Sequence, residues 1–274
     1  MGKVLLVDIT RCNGCYSCQL SCKDEHVTND WMPYTQPQPN TGHFWWKTTE
    51  TVQGTVPKVR VHYMHETCGH CENPACLKAA KNGEIYKRED GLVLIDPVKA
   101  HGQRYLVEAC PYGAIYFNED LNVPQKCTGC AHLLDNEGWT EPRCVQSCPT
   151  DALIYGDYEE LKDRMGEFEQ LHPEYGTNPR VYYKGLLNKF FVAGEIYDSV
   201  KDECLEGAAV TLIDAEGKAV STLKTDVFGD FWFERCVPGK YSVKVEMDGY
   251  TAKTIADIDA TEKDVNIGSI DLAN

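Results

Sequence analysis

The stretch Cys12-Asn13-Gly14-Cys15-Tyr16-Ser17-Cys18-Gln19-Leu20-Ser21-Cys22 decides the fold. Thiolates three residues apart on a glycine-bearing turn can close on three corners of an iron–sulfur cubane. The fourth, carried on a following helix, reaches a neighbouring cluster. A second set, Cys127-x2-Cys130-x13-Cys144-x3-Cys148-Pro149, keeps the same order with a longer third spacer. Between them lie Cys68-x2-Cys71-x4-Cys76 and a lone Cys110-Pro111. Soft sulfur ligands at these intervals suit iron–sulfur clusters, with zinc as the bland alternative.

Under the crossing rule, Cys12, Cys15, Cys18 and Cys148 make one ligand set. Cys68, Cys71, Cys76 and Cys110 make a second, and Cys22, Cys127, Cys130 and Cys144 a third. A fourth set would fall on Ala80, Ala100, Gln103 and Leu106, all without sulfur. Random decay would leave orphan thiols. Instead twelve cysteines remain for three [4Fe–4S] clusters.

The 274-residue chain carries 14 cysteines and a formal net charge of −15. So many thiols imply either disulfides in an oxidising compartment or metal ligation in a reducing one. The early apolar run Val4-Leu5-Leu6-Val7 stops at Asp8, too short for a signal peptide or a membrane span, and no apolar run of spanning length follows. Metal ligation and a cytoplasmic location are therefore expected, without a direct membrane span. The acidic balance argues against a nucleic-acid partner, which needs a basic face.

The first region repeats itself. Arg11-Cys12-Asn13-Gly14-Cys15 returns as Lys126-Cys127-Thr128-Gly129-Cys130, and Cys110-Pro111-Tyr112-Gly113-Ala114-Ile115-Tyr116 returns from Cys148 to Tyr155. Such repetition indicates duplicated ferredoxin-like modules, whose small apolar cores leave the clusters to hold the fold. Residues 28–63 interrupt them with Trp31, Pro33, Tyr34, Pro37, Pro39, Phe44, Trp45 and Trp46. This insertion reads as a surface loop or, with Trp31, Trp45 and Trp46 as anchors, a docking surface. Asp157 with Glu160 opens a helix pattern continued by Leu161, Arg164, Met165, Phe168 and Leu171, within an arm spanning 157–189. From residue 190 to 274 the period becomes two: Val210 and Leu212, Phe231 and Phe233, then Tyr241, Val243 and Val245, separated by Gly- and Pro-containing turns. The expected class is α+β, with ferredoxin-like modules over 1–189 and an antiparallel β-sandwich over 190–274.

The four-run pattern, with Leu153-Ile154-Tyr155-Gly156-Asp157 after the last Cys-Pro and the arm Pro173-Glu174-Tyr175-Gly176-Thr177-Asn178-Pro179-Arg180, resembles the iron–sulfur subunits of the dimethyl sulfoxide reductase family. The tail, with Gly207-Ala208-Ala209-Val210 and Pro238-Gly239-Lys240-Tyr241, resembles transthyretin-like or collagen-adhesin B-type modules. Together with the missing cluster it is similar to the family's transhydroxylase branch. The resemblance implies a large catalytic partner subunit holding molybdenum and molybdopterin guanine dinucleotide, with substrate chemistry outside this chain. A respiratory reductase subunit and a free-standing polyferredoxin are the alternatives.

Other residues carry weaker signals. His65, His70, His101 and His132 lie near the cysteines, and with twelve thiols already matched they read as hydrogen-bonding or surface groups. Arg11 and Lys126, each preceding a first ligand, either tune cluster potential or neutralise charge. Cys204 and Cys236 match no metal spacing and read as buried or free thiols. No catalytic residue stands out.

Overall fold

The structure, a computed structural model, describes residues 2–136, 138–186 and 189–273. The chain divides into two compact units, one of Met1–Thr51 with His62–Gly185, the other of Val52–Val61 with Leu186–Asn274.

In chain order the first unit begins with β1 (Lys3–Asp8) and α1 (Ser17–Val27). A ribbon of β2 (Trp46–Thr55) and β3 (Lys58–Thr67) follows, whose residues 52–61 are counted with the second unit. Next come α2 (Ala75–Ala79), the pair β4 (Ile85–Lys87) and β5 (Val93–Ile95), and the pair β6 (Tyr116–Asn118) and β7 (Val123–Gln125). Then α3 (Ala131–Leu134), α4 (Arg143–Gln146), β8 (Leu153–Asp157), α5 (Tyr158–Leu161) and β9 (Val181–Lys184) complete it. Short elements are what a chain with little apolar core per module can sustain.

One small sheet ties the ends of this unit together. β1 lies between β8, antiparallel with Leu6 opposite Ile154, and β9, parallel with Leu6 opposite Tyr182. Val4 and Leu6 point to one face and are buried against Leu161, Ile154 and Met165. The pairing continues past the strand, where Asp8 N–H donates to the Ala152 carbonyl at 2.7 Å. The two ends of the cysteine pattern are thereby drawn together.

The helix expected from Asp157 toward Leu171 is a single α-turn followed by a 3-10 stretch, Lys162–Glu167. Two competing interactions explain this. The Asp157 carboxylate bonds the Lys3 ammonium at 2.8 Å instead of capping the helix. Glu169 exchanges backbone hydrogen bonds with Tyr183 at 2.8 Å, which requires extended chain there.

The insertion over 28–63 is also more ordered than a surface loop. Its second half is strand, and Trp45 and Trp46 are each only 2% exposed. They are internal residues and offer no docking anchor. Trp31 stacks on His132 with ring centroids 4.2 Å apart.

Three of the four positions where a further ligand set would fall, Ala80, Ala100 and Leu106, belong to a packed apolar core. Ala100 and Leu106 are fully buried with Ile85, Val93, Ile95, Ile115 and Val123, and Ala80 packs against them. Cys76 and Cys110 border the same cluster.

The second unit is the sandwich. Its first sheet centres on β10 (Phe190–Asp198), which pairs with β11 (Glu203–Cys204) and β14 (Asp230–Cys236), and in parallel with β17 (Val265–Asp271). Its second sheet runs β13 (Ala219–Lys224), β12 (Ala209–Asp214), β15 (Gly239–Glu246), β16 (Lys253–Ala260), all antiparallel. Val210, Leu212, Phe231, Phe233, Tyr241, Val243 and Val245 all enter its core, as their period-two spacing requires. Among the described residues the parallel β10–β17 pair is the one departure from an antiparallel sandwich.

Candidate iron–sulfur centres

The repeated Cys-x-Gly-Cys turn has a backbone reason. Gly14 and Gly129 take φ of +70° and +64°, the left-handed region. A Cβ on Gly14 would also come within 2.1 Å of the Tyr63 ring. After the turn, α1 buries Cys18, Cys22 and His26, spaced by four and therefore on one face. α1 packs on α4, and the Ser21 hydroxyl bonds that of Ser147, the residue after α4, at 2.7 Å. Cys22 on α1 is thus carried towards Cys144 on α4, and Cys18 towards Cys148.

The cysteines assemble across the sequence. Cys22, Cys127, Cys130 and Cys144 line one cavity, which also touches Cys68. Cys68, Cys71, Cys76 and Cys110 line another. Cys12, Cys15, Cys18 and Cys148 are near enough for their charges to interact. All fourteen thiols are free of disulfides. Among the described residues, no three His, Cys, Asp or Glu side chains converge as ligands of a single metal ion.

Burial dominates the electrostatics. It pushes the Cys18 and Cys76 thiols up to about 11, and Cys71 and Cys130 to about 12. Cys22 and Cys144, fully enclosed, are raised well above the ordinary thiol value for the same reason. Without a metal these sites favour neutral thiols, whereas bound iron would supply the positive charge that holds thiolates.

Lys126 supplies another positive charge. It is only 3% exposed, and its ammonium donates to the Val93 carbonyl and, at 3.2 Å, to the Cys127 carbonyl. Burial alone would lower its pKa, but the neighbouring Cys68, Cys76 and Cys127 outweigh that and raise it. It therefore faces two cysteine sets at once. Arg11, its counterpart in the repeat, is half-exposed and pairs with Asp151 at 3.8 Å.

Two buried donors fit cluster sulfur. His70 Nδ1 accepts the Val93 N–H at 3.0 Å, and burial keeps the ring neutral, so its hydrogen lies on Nε2. Among the described residues Nε2 has no partner, and His70 lines both cavities. The buried Tyr155 hydroxyl on β8 is likewise unpartnered and lines the larger cavity. The donor set and these two groups fit iron–sulfur clusters.

His65, on β3, is buried and held near pKa 4 by desolvation. Its Nε2 lies 3.3 Å from Cys12 Sγ. His132 bonds Glu25 at 3.0 Å. Cys204 is exposed, and Cys236 is buried in the sandwich. Sequence reading did not isolate Trp46, Thr48 or Tyr155 as groups near the cysteines, because they reach that region only through strand pairing. Among the described residues no helix is long and apolar enough to cross a membrane.

Duplicated cysteine-bearing modules with buried donors define an iron–sulfur electron-transfer protein. The 4Fe-4S dicluster domain family matches residues 59–158, and the carboxypeptidase regulatory-like domain family matches 192–273. The chain is 40% identical to the pyrogallol hydroxytransferase small subunit of Pelobacter acidigallici over 98% of both chains. It is 35% identical to one chain of the anaerobic dimethyl sulfoxide reductase of Escherichia coli, over 66% of this chain and 88% of that one. One of the subunits of the tetrathionate reductase of Salmonella typhimurium is 34% identical over 68% of this chain and 73% of that one. The protein belongs to this family of iron–sulfur subunits.

Proposed function

We propose that this chain is the small subunit of a polyhydroxybenzene transhydroxylase and carries three [4Fe–4S] clusters, with a large catalytic subunit holding molybdenum and molybdopterin guanine dinucleotide. The supporting observation is the 98% coverage of both chains in the match to a pyrogallol hydroxytransferase small subunit, sandwich included, where the match to a dimethyl sulfoxide reductase chain covers 66% of this one.

The proposed ligand sets are Cys12, Cys15, Cys18 and Cys148; Cys68, Cys71, Cys76 and Cys110; and Cys22, Cys127, Cys130 and Cys144. Shared cavities support the second and third sets, and mutual proximity supports the first. The apolar packing of Ala100 and Leu106 supports a count of three. A cluster of this kind, when bound, takes up and releases single electrons. The chain's own residues would hold each cluster through thiolates, offset its charge with Lys126, and keep water away with Leu92, Trp46 and Val181. Substrate chemistry belongs to the partner, and the ligand chemistry suits the reducing cytoplasm.

The test is to purify the complex anaerobically, determine iron and molybdenum, and assay pyrogallol with a tetrahydroxybenzene co-substrate. About 12 irons per small subunit, a molybdenum-bearing partner and turnover without an external acceptor are expected. Turnover only with a dye or quinone would move the assignment to a respiratory enzyme. A metal-loaded monomer with no partner would leave a polyferredoxin.

A further inference from the structure

We propose that His65 is a positioning residue that raises the reduction potential of the cluster held by Cys12, through a hydrogen bond from its Nε2–H to Cys12 Sγ. The inference rests on the reading that Cys12 is a cluster ligand.

The argument begins with the direction of that hydrogen bond. Trp46 Nε1–H can only donate, and it reaches His65 Nδ1 at 3.3 Å. The Thr48 hydroxyl lies 3.1 Å from the same nitrogen. Nδ1 is therefore an acceptor, and the hydrogen of the neutral ring must sit on Nε2. That nitrogen is 3.3 Å from Cys12 Sγ, inside hydrogen-bonding range for sulfur. His65 and Trp46 are each 2% exposed, so water does not compete for either bond.

The three partners arrive from different places. Trp46 and Thr48 stand on β2 with side chains on the same face, two residues apart, while His65 stands on β3. Thr48 is held further by its backbone N–H donating to the Gln19 side chain at 2.7 Å. Its hydroxyl is also 3.8 Å from Cys18 Sγ, a second proposed ligand of the same cluster. The β2–β3 ribbon thus delivers a preset donor to a ligand sulfur more than fifty residues away in sequence.

An N–H dipole directed at a ligand sulfur stabilises the more negative, reduced state, and hydrogen bonds to sulfur are one of the protein's levers on potential. One electron enters the couple from the titrant, and the Nε2 proton stays on the ring in both oxidation states.

The experiment uses the anaerobic holoprotein, titrated with dithionite and followed by electron paramagnetic resonance. Cys12→Ser identifies which signal belongs to this cluster. His65→Leu should shift that couple so that, at the wild-type midpoint, the oxidised-to-reduced ratio rises about tenfold, a lowering of about 59 mV for one electron. The other two couples should not move. His65→Gln restores an N–H donor at the Nε2 position and should recover most of the shift, which a purely space-filling role would not do. An unchanged midpoint in His65→Leu with full iron content would overturn the proposal, as would an equal shift in the Gln variant. Should His65→Leu lose the cluster, a His65→Gln midpoint displaced as far as tenfold would overturn it instead. Failure of the underlying reading looks different: all three signals would survive in Cys12→Ser.

Discussion

Lys126 allows a prediction with a calculable size. Replacing it by Met keeps the length and removes a unit charge that interacts with Cys68 and Cys76 of one set and Cys127 of another. A unit charge about 4 Å from another, at an effective dielectric constant of about 20, interacts by about 4 kcal/mol. Since about 1.4 kcal/mol corresponds to about 59 mV for one electron, the ceiling is about 170 mV. Relaxation and delocalisation of the added electron reduce this, so a fall of about 60–170 mV is expected at two clusters. The Cys12 cluster should stay where it was. The carbonyls of Val93 and Cys127 lose a donor, which costs about 1–3 kcal/mol each if they remain unpaired. Iron content must therefore be measured beside the potentials. Redox titration of the Lys126→Met holoprotein, with three couples followed separately, is the assay. A shift at none, at one, or equally at all three would refute the placement of this charge between two clusters.

Cys76→Ser should cost about four irons and one spectroscopic signal, with the other two signals kept, measured by iron analysis and paramagnetic resonance. Leu106→Ala should destabilise the first unit by about 2–5 kcal/mol through an unfilled cavity. Because Cys76 and Cys110 border that core, their cluster should be the first released on denaturant titration. Phe231→Ala, at the centre of the sandwich, should cost about 3–5 kcal/mol and lower a calorimetric transition without changing iron content. Cys204→Ala with Cys236→Ala should leave the iron content and all three signals unchanged.

The iron–sulfur character of the first region was legible because cysteine spacing is a covalent property of the chain. The helix-face spacing of Cys18 and Cys22, and the turn glycines Gly14 and Gly129, follow from local geometry. The sandwich was legible for a similar reason, since burial at period two is written into Val210, Leu212, Phe231 and Phe233. What escaped was set by distant partners. Asp157 carries a good capping side chain, but Lys3 takes it. Trp45 and Trp46 look like surface anchors until the β2–β3 ribbon buries them. His65 looked like one histidine among several, because the tryptophan that fixes its tautomer and the sulfur that receives its hydrogen lie in other elements. Propensity and spacing carry no term for such long-range pairing.

The interleaving of the first and last cysteine runs has a consequence for biogenesis. In the proposed ligand sets Cys22 must wait for Cys127, Cys130 and Cys144, while Cys12, Cys15 and Cys18 must wait for Cys148. β1 likewise stays unpaired until β8 and β9 have been made. From Cys22 to Cys148 the ribosome adds 126 residues, 148 minus 22. At roughly 5–20 residues per second this takes about 6–25 seconds. Throughout that interval four nucleophilic thiols near the start of the chain have neither metal nor tertiary shelter. Maturation at these two sites therefore cannot proceed vectorially behind translation. In that scheme iron and sulfide have to be delivered to a chain already extended past Cys148, just over half of its 274 residues, and a nascent chain stalled before Cys148 would present a set of uncovered thiols to oxidants, which makes passage beyond that point itself a condition of loading.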